Sequence, residues 1–289
     1  MLQAEVLQIV ACIDGSRAAP AVCDYAAWAS EHTASPLMLL HVVDKERYPA
    51  EPDLAGNIGL GSREQLLDEL AELDRKRARL ALEHGHHLLD HAHARVSQKS
   101  GVSEISKRQR HDNLAEALTA LEAGTRLFVL GLRGENSSNR EMQVGSQLET
   151  VIRSVHRPIL LVPDQFTPPR SAMLAFDGSE TAFRGVEMMA ASPLWRGVPL
   201  HLVMVGPDTA DRRRLLELAR AKLESLGSEI VVALCAGDVV PALHEYQQEQ
   251  GIDLLVMGAY GHSKVRRFLL GSTTTTMLKT ATQPLIILR

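Results

Sequence analysis

Residues 249–258 read EQGIDLLVMG and residues 122–131 read EAGTRLFVLG, so one turn and one apolar strand occur twice in the chain. A continuous apolar run such as DLLVMG is typical of a strand that helices cover on both faces. Five further pairs of segments repeat in the same order: ACIDGS 11–16 with AFDGS 175–179, PLMLLHV 36–42 with PLHLVMV 199–205, SEI 103–105 with SEI 228–230, GSQLETVI 145–152 with GSTTTTML 271–278, and RPILLV 157–162 with QPLIIL 283–288. Periodicity alone would not repeat the residues of the turns, so we predict two copies of one unit.

The order of the elements predicts an α/β fold. In the second copy, strands and helices alternate from a strand at 171–176 to a strand at 284–288, which implies a parallel sheet with right-handed crossovers. Two domains of about 140 residues are the natural division of a chain of this length. The segment PDQFTPPR carries three prolines and suits an extended linker. We therefore expect domain 1 at 1–162, a linker at 163–170 and domain 2 at 171–289.

Composition narrows the class of protein. Hydrophobic residues make up 45% of the chain and charged residues 23%, which fits neither a disordered nor a fibrous protein. The net charge of −4 gives no reason to expect a nucleic acid or an anionic membrane as partner. The chain shows no signal peptide and no apolar run of about 20 residues, the length needed to cross a bilayer. We expect a cytoplasmic, soluble protein whose three cysteines are free thiols.

The segment GAYGHSKVRRFLLGS at 258–272 has the chemistry of a phosphate-binding loop. Gly258 and Gly261 allow backbone amides to approach phosphate oxygens, while Gly271 and Ser272 open a helix whose amino end attracts anions. Between them lie four residues that can neutralise the charge of a polyphosphate: His262, Lys264, Arg266 and Arg267. The alternative is an ordinary glycine-rich loop before a capped helix. Neither GxxxxGK[ST] nor an early GxGxxG is present, which argues against a P-loop NTPase and a dinucleotide dehydrogenase.

Two residues at strand ends extend this site. Asp177 follows the first strand of the second copy, where its carboxylate can accept hydrogen bonds from a ribose hydroxyl or an adenine amino group. The alternative role for Asp177 is to cap the helix that follows. Val205, at the end of the second strand, offers backbone groups and an apolar wall to a base, or else belongs to the core.

With these motifs, the second copy resembles the ATP-binding branch of the universal stress protein family. The resemblance implies a five-stranded parallel-sheet, Rossmann-like α/β/α sandwich for each of the two tandem copies. It implies that the ligand is ATP. Mg²⁺ can accompany ATP, and the ion would be held mainly by the phosphates and by water. The resemblance assigns ribose, adenine and phosphate contacts to Ala175, Asp177, Val205, Met257, Gly258, Gly261, His262, Gly271, Ser272 and Thr273.

The same resemblance concerns assembly. It implies that the last strands of the two copies pair, IILR with ILLV, so that one chain forms within itself the dimer that single-domain relatives make between chains. A homodimer of two whole chains is a further arrangement that it allows. The protein partner is left unassigned.

The first copy departs from the family's pattern. It keeps the equivalents of the aspartate, the valine, the glycines and the serine at Asp14, Val42, Gly131, Gly134, Gly145 and Ser146. However, ten residues instead of nine separate Gly134 from Gly145, and the intervening ENSSNREMQV has two glutamates and one arginine. We therefore expect a degenerate nucleotide motif, which binds weakly or takes a different ligand.

The first copy is also longer, with a loop predicted at 45–61 and a charged helical stretch at 62–95. That stretch contains five histidines: His84, His86, His87, His91 and His93. His87 and His91 have a spacing that can hold a metal on one helix face, but the alternative is a solvated polar helix end. Gly85 leaves the helix itself uncertain. No metal ligand is assigned.

Three functions fit these features. The first is a nucleotide-binding regulatory protein of the stress response, the second a slow ATPase, and the third an interaction scaffold or metal-responsive protein with vestigial nucleotide loops. Catalysis needs a general base, a nucleophile or metal ligands near the γ-phosphate. His262 is the one acid–base candidate, and no catalytic residue is assigned, so binding without efficient turnover is favoured.

Overall fold

The structure of the chain is a computed structural model. The residues that the structure describes are 7–45, 62–99, 101–102, 104–134, 146–259 and 271–289.

The first copy alternates strands and helices. Pro20 lies in the first turn of its first helix, where the missing amide proton costs no hydrogen bond. The elements are β1 (Gln8–Cys12), α1 (Ala19–Thr33), β2 (Leu37–Asp44), α2 (Ser62–Lys99), β3 (Ile105–Asp112), α3 (Leu114–Thr119), β4 (Thr125–Gly131), α4 (Ser146–Ser154) and β5 (Ile159–Val162).

The second copy repeats this order. The elements are β6 (Ala172–Ala175), α5 (Glu180–Ala191), β7 (Leu200–Val205), α6 (Ala210–Leu223), β8 (Ile230–Cys235), α7 (Val239–Glu249), β9 (Leu254–Gly258), α8 (Ser272–Thr280) and β10 (Leu285–Leu288). A 3₁₀ turn at Pro193–Trp195, between α5 and β7, has no counterpart between α1 and β2.

All ten strands form one sheet, in the order β3-β2-β1-β4-β5-β10-β9-β6-β7-β8. The strands of each copy are parallel, and the two copies meet where β5 and β10 pair in the antiparallel sense. Leu161 lies opposite Leu285 and Ile159 opposite Ile287. These are the two last strands that the family resemblance pairs, so one sheet continues through both copies.

Helices cover both faces of the sheet. The core on one face includes α1, α2, α5 and α6, and the core on the other includes α3, α4, α7 and α8. Successive strand residues alternate between them, as Ile9 and Ala11 do against Val10. Every residue of β5 and β10 is buried, which explains their continuous apolar sequences. The predicted α/β/α sandwich is confirmed.

The helical stretch predicted at 62–95 continues to Lys99 as α2. Gly85 does not interrupt it, and a Cβ atom at this position would overlap the ring of His41 and lie 2.6 Å from Gln109 Nε2. The helix therefore continues through Gly85, and the glycine is needed there because it lets α2 pack directly on β2 and β3. The predicted loop at 45–61 lies outside the described residues, apart from Lys45.

None of the described helices combines the length with the apolar composition that a bilayer-spanning segment requires.

Candidate functional site

The strand order of the second copy reverses between β6 and β9. β6 is hydrogen-bonded to β7 on one side and to β9 on the other, with Leu174 opposite Val256 across the second pairing. Such a reversal leaves a crevice beyond the carboxyl ends of the strands, where α/β proteins bind their ligands. We call the region at the ends of β6, β7 and β9 and the start of α8 the second strand-end site.

Asp177 lies in the turn between β6 and α5. Its Oδ1 accepts a hydrogen bond from the backbone amide of Ser179 at 2.9 Å, while Ser179 Oγ accepts one from the amide of Ala182 at 3.1 Å. Ser179 therefore caps the helix, and the alternative that Asp177 is the cap is wrong. Gly178 has φ +78°, and a Cβ atom there would lie 2.9 Å from Leu215 Cδ1 on α6. The tight glycine turn fixes the aspartate at the strand end.

The chain turns away at the end of β7. Val205 pairs with Cys235, and the next residue, Gly206, has φ +146° and donates its amide to Cys235 O at 2.7 Å. The guanidinium of Arg212 lies against Gly206, where any Cβ atom would overlap it. Val205 and Ala175, the last residues of β7 and β6, are both half-buried. Their position beside the crevice fits contact with a ligand.

The start of α8 has the geometry of an anion site. Gly271 is the N-cap residue, with extended backbone, and no described side chain caps the helix. Its carbonyl accepts the amide of Thr275 at 2.9 Å, so the first turn is formed. Ser272 is exposed and Thr273 is half-buried. Amides of a first helical turn have no acceptor within the helix and carry partial positive charge.

Thr274 joins this helix to the end of β9. Its hydroxyl lies 3.1 Å from Ala259 O and 3.3 Å from Gly258 O, which share its single proton. Its side chain is 2% exposed. The sequence interpretation did not single out Thr274, although a hydroxyl two residues after Ser272 was visible in the run of threonines. Met257, beside this contact, is buried.

The structure brings eight of the ten predicted residues to this one edge of the sheet: Ala175, Asp177, Val205, Met257, Gly258, Gly271, Ser272 and Thr273. Gly261 and His262 lie outside the described residues, as do the three basic residues of the loop.

The first copy has the corresponding site at the ends of β1, β2 and β4 and the start of α4, here the first strand-end site. Asp14 Oδ1 accepts hydrogen bonds from the amide of Ser16 at 3.1 Å and from its hydroxyl at 2.5 Å. Ser16 thus does not cap the helix, and α1 begins after Ala18 without a side-chain cap. A Cβ atom on Gly134 would lie 3.6 Å from Asp14 Oδ2, so this glycine adjoins the carboxylate.

A side-chain contact crosses the first strand-end site. Gln147 in the first turn of α4 donates its Nε2 to Asp44 Oδ2 at the end of β2, at 2.9 Å. Because β1 lies between β2 and β4, this Gln147–Asp44 bridge spans the end of β1 near Asp14. Gln147 corresponds to Thr273, and β2 continues for two residues beyond Val42, the equivalent of Val205. Gly145 and the ten-residue spacer lie outside the described residues.

Ion pairs hold the extension of β2. Lys45 Nζ lies 2.5 Å from Glu116 Oε2 and 3.3 Å from Asp112 Oδ1. These two hydrogen bonds, first that of Glu116, raise the pKa of Lys45. The amide of Asn113 and then Lys45 lower the pKa of Asp112. The network joins the residue after β2 to the end of β3 and to α3.

Among the described residues, no three His, Cys, Asp or Glu side chains lie together in a way that could hold a metal ion. His84, His87 and His91 are exposed on α2. Asp90, between them, pairs with Lys107 Nζ at 2.5 Å.

Fold and site together define a tandem, doubly wound α/β protein in which the strand order of each copy reverses beside the predicted site residues. The chain belongs to the universal stress protein family, whose profile matches it twice, at residues 6–163 and 169–289. It is 32% identical to universal stress protein Slr1230 of Synechocystis over 285 residues, which are 97% of this chain and 99% of that protein.

Solved structures show the same fold. A universal stress protein of Archaeoglobus fulgidus covers 99% of this chain and is itself covered to 99%, with a TM-score of 0.70 and 18% identity. A universal stress protein of Pseudomonas aeruginosa covers 98% of this chain, is itself covered to 93%, and has a TM-score of 0.60 and 15% identity. Another universal stress protein was solved in complex with cAMP, but it covers 42% of this chain, is covered to 97%, and has a TM-score of 0.36 at 23% identity. That likeness is too slight to carry its ligand over.

Proposed function

We propose that this chain is an ATP-binding regulatory protein of the stress response, and that ATP binds at the second strand-end site. The base and ribose would contact Ala175, Asp177 and Val205, and the phosphates the amides at the end of β9 and the start of α8. Mg²⁺ would accompany the phosphates, held mainly by them and by water. The proposed domain limits are 1–162 and 171–289, with the linker at 163–170.

One observation carries the choice of the second copy, namely the different first turns of α8 and α4. Thr273 and Ser272 present short hydroxyl side chains beside amides that can bind an anion. At the position of Thr273, α4 carries Gln147, which is engaged with Asp44, and its first turn also contains Glu149. A carboxylate at a helix amino end and a side chain across the crevice both disfavour a triphosphate.

Binding rather than turnover is proposed, because ATP hydrolysis needs a group that activates water near the γ-phosphate. Among the described residues of the proposed set, Asp177 is the one carboxylate, and the amide of Ser179 holds it. In the proposed binding mode Asp177 contacts the base and ribose and not the γ-phosphate. A slow ATPase is the second candidate, with His262 as its acid–base group. Turnover assays on Gly261→Ala and His262→Ala test it, and a robust rate that depends on His262 would make the protein an enzyme.

The deciding experiment is a calorimetric titration with ATP and Mg²⁺ of the wild type and of the double variant Gly271→Ala/Ser272→Ala. The proposal expects one site in the wild type that weakens strongly in the variant, because Cβ at the N-cap and loss of the hydroxyl disturb the phosphate contact. The matched double variant of the first copy, Gly145→Ala/Ser146→Ala, should keep the wild-type affinity. A site that survives in the double variant would contradict the proposal, and no binding in the wild type would favour the scaffold function.

A further inference from the structure

Helix α2 is much longer than its counterpart in the second copy, with 38 residues against 14 in α6. The buried residues of the two helices have the same spacing: Leu89, Ala92 and Val96 in α2, and Leu216, Ala219 and Leu223 in α6. When these residues are aligned, Ala210, the first residue of α6, falls opposite Glu83. Residues 62–82 therefore have no equivalent in α6, and we call them the α2 extension.

The α2 extension exposes three large apolar side chains on one face. Leu70, Leu73 and Leu80 are 48%, 46% and 50% exposed. Their spacing of three and seven residues places them in one stripe along the helix, in which Arg77 lies between Leu73 and Leu80. Ala71 lies on another face and is 4% exposed, so the stripe is not the side that the protein buries. We call the three leucines the leucine stripe.

The charges beside the leucine stripe indicate which partner fits it. The spacing of the stripe is that of the seam between two packed helices. The acidic residues Glu69, Glu72 and Asp74 are followed directly by four cations, Arg75, Lys76, Arg77 and Arg79. A second copy of this helix in the antiparallel direction places its cations against these acids, whereas a parallel copy places like charges side by side. The α2 extension is therefore complementary to itself.

We propose that two copies of this chain form a dimer in which the leucine stripes pack against each other, with the α2 extensions antiparallel. The two-fold axis passes between Leu70 and Leu73, so Leu70 of each chain meets Leu73 of the other. Glu69 and Lys76 lie seven residues apart on the same flank of the stripe, and each pairs with the other across the interface. A seam of three leucines is short, so the dimer is weak and depends on protein concentration.

Removal of the leucine stripe is the first test. Sedimentation equilibrium over a range of concentrations measures dimerisation of the wild type, of Leu70→Ser/Leu73→Ser and of Leu218→Ser. The stripe variant should raise the dissociation constant by about a hundredfold or more, because each substitution occurs twice in a symmetric dimer. Leu218 on α6 is 50% exposed and lies outside the α2 extension, so its variant should dimerise like the wild type. Thermal unfolding of each variant checks the fold.

An exchange of charges tests the pairing of Glu69 with Lys76. Glu69→Lys and Lys76→Glu each place like charges opposite one another, so each should raise the dissociation constant by about threefold to tenfold. The double variant Glu69→Lys/Lys76→Glu restores opposite charges and should return to within about twofold of the wild type. Single variants that dimerise like the wild type, or a double variant weaker than both, would contradict the proposed pairing.

Cross-linking tests the antiparallel direction by distance. Leu73→Cys and Leu80→Cys are made in a chain whose three native cysteines are replaced by alanine. Leu73 lies near the proposed two-fold axis, so a short bismaleimide should link the cysteines of the two chains. Residue 80 of one chain lies about 25 Å along the helix from residue 80 of the other, so the second variant should not be linked. A parallel dimer would be linked at both positions.

A wild type that stays monomeric up to about 100 µM would overturn the proposal. A dimer that survives in Leu70→Ser/Leu73→Ser would overturn it as well, as would linkage of Leu80→Cys as readily as of Leu73→Cys. The ATP site is tested separately, because calorimetric titration of Leu70→Ser/Leu73→Ser with ATP measures nucleotide binding without the dimer.

Discussion

The two strand-end sites start from the same residues and end in different structures. Both copies place an Asp-Gly-Ser turn after their first strand, but Ser179 caps its helix whereas Ser16 bonds to Asp14. The second strand of the second copy ends at Val205, while β2 runs on to Asp44 and meets Gln147 across the crevice. Equal motifs therefore do not make equal sites, since residues outside the motif decide whether the crevice stays open.

The largest difference in ATP affinity between the two sites is expected when the aspartate of each site is removed in turn. Asp177→Ala should weaken ATP by about tenfold to a hundredfold, because a hydrogen bond to a charged group is lost. Asp14→Ala should leave ATP binding as it was, since the first site is bridged. Calorimetry with ATP and Mg²⁺ measures both variants, and thermal unfolding controls for the loss of the contact with Ser179. Equal weakening by both variants would contradict the difference between the copies.

A smaller effect is expected from opening the first site. The double variant Asp44→Ala/Gln147→Thr removes the Gln147–Asp44 bridge and gives the first turn of α4 the residue of the second copy. ATP should then bind to a second, weaker site, seen as a stoichiometry that rises from one towards two. Leu148→Thr alone leaves the bridge intact and serves as control. If the double variant still binds one ATP, the bridge is not what closes the site.

Thr274 distinguishes the copies in a third way, because Leu148 stands at its position in α4. Thr274→Val keeps the branched shape and removes the hydroxyl that joins α8 to Gly258 O and Ala259 O. The free energy of unfolding should fall by about 1 to 2 kcal/mol, since two buried carbonyls share the lost donor. Urea unfolding measures this loss. An unchanged midpoint would show that the contact does not stabilise α8.

The smallest effect concerns pH. His201 on β7 lies where β2 has Met38, its Nδ1 is 2.9 Å from the hydroxyl of Tyr246, and burial lowers its pKa. The unfolded histidine takes up a proton near pH 6.5 while the folded one stays neutral, so the free energy of unfolding falls as pH drops through that value. His201→Met should reduce this loss between pH 7.5 and 5.5. Urea unfolding of the wild type and of His201→Met at both pH values measures this difference. The prediction is wrong if the two proteins show the same pH dependence.

The sequence was sufficient for the fold because its information is local and repeated. Buried strands such as β5 and β9 are continuous apolar runs, and turn residues repeat with them, so two α/β units follow from pattern alone. The continuity of α2 could not be predicted from the sequence, because a glycine such as Gly85 disfavours a helix. The reason for the glycine is the close contact of His41 and Gln109 with this position.

The site was predicted less completely, because some of its contacts join residues that are far apart in the chain. Asp177, Gly258 and the start of α8 follow strands and glycines that can be recognised one by one. The Gln147–Asp44 bridge joins residues far apart in the chain, and its donor and acceptor are ordinary surface residues in the sequence. Ser179, and not Asp177, caps α5, whereas the equivalent Ser16 of the first copy donates to Asp14. The same Asp-Gly-Ser sequence therefore did not predict which residue is the cap.

The antiparallel contact of β5 with β10 also orders events during synthesis. β5 is complete once the ribosome has passed Val162, yet its partner is the last strand of the chain that the structure describes. Through the translation of the whole second copy, the four apolar residues of β5 present an unpaired edge, which is the kind of surface that other chains join by strand addition. The second copy therefore covers an exposed edge of the first copy as well as completing the sheet.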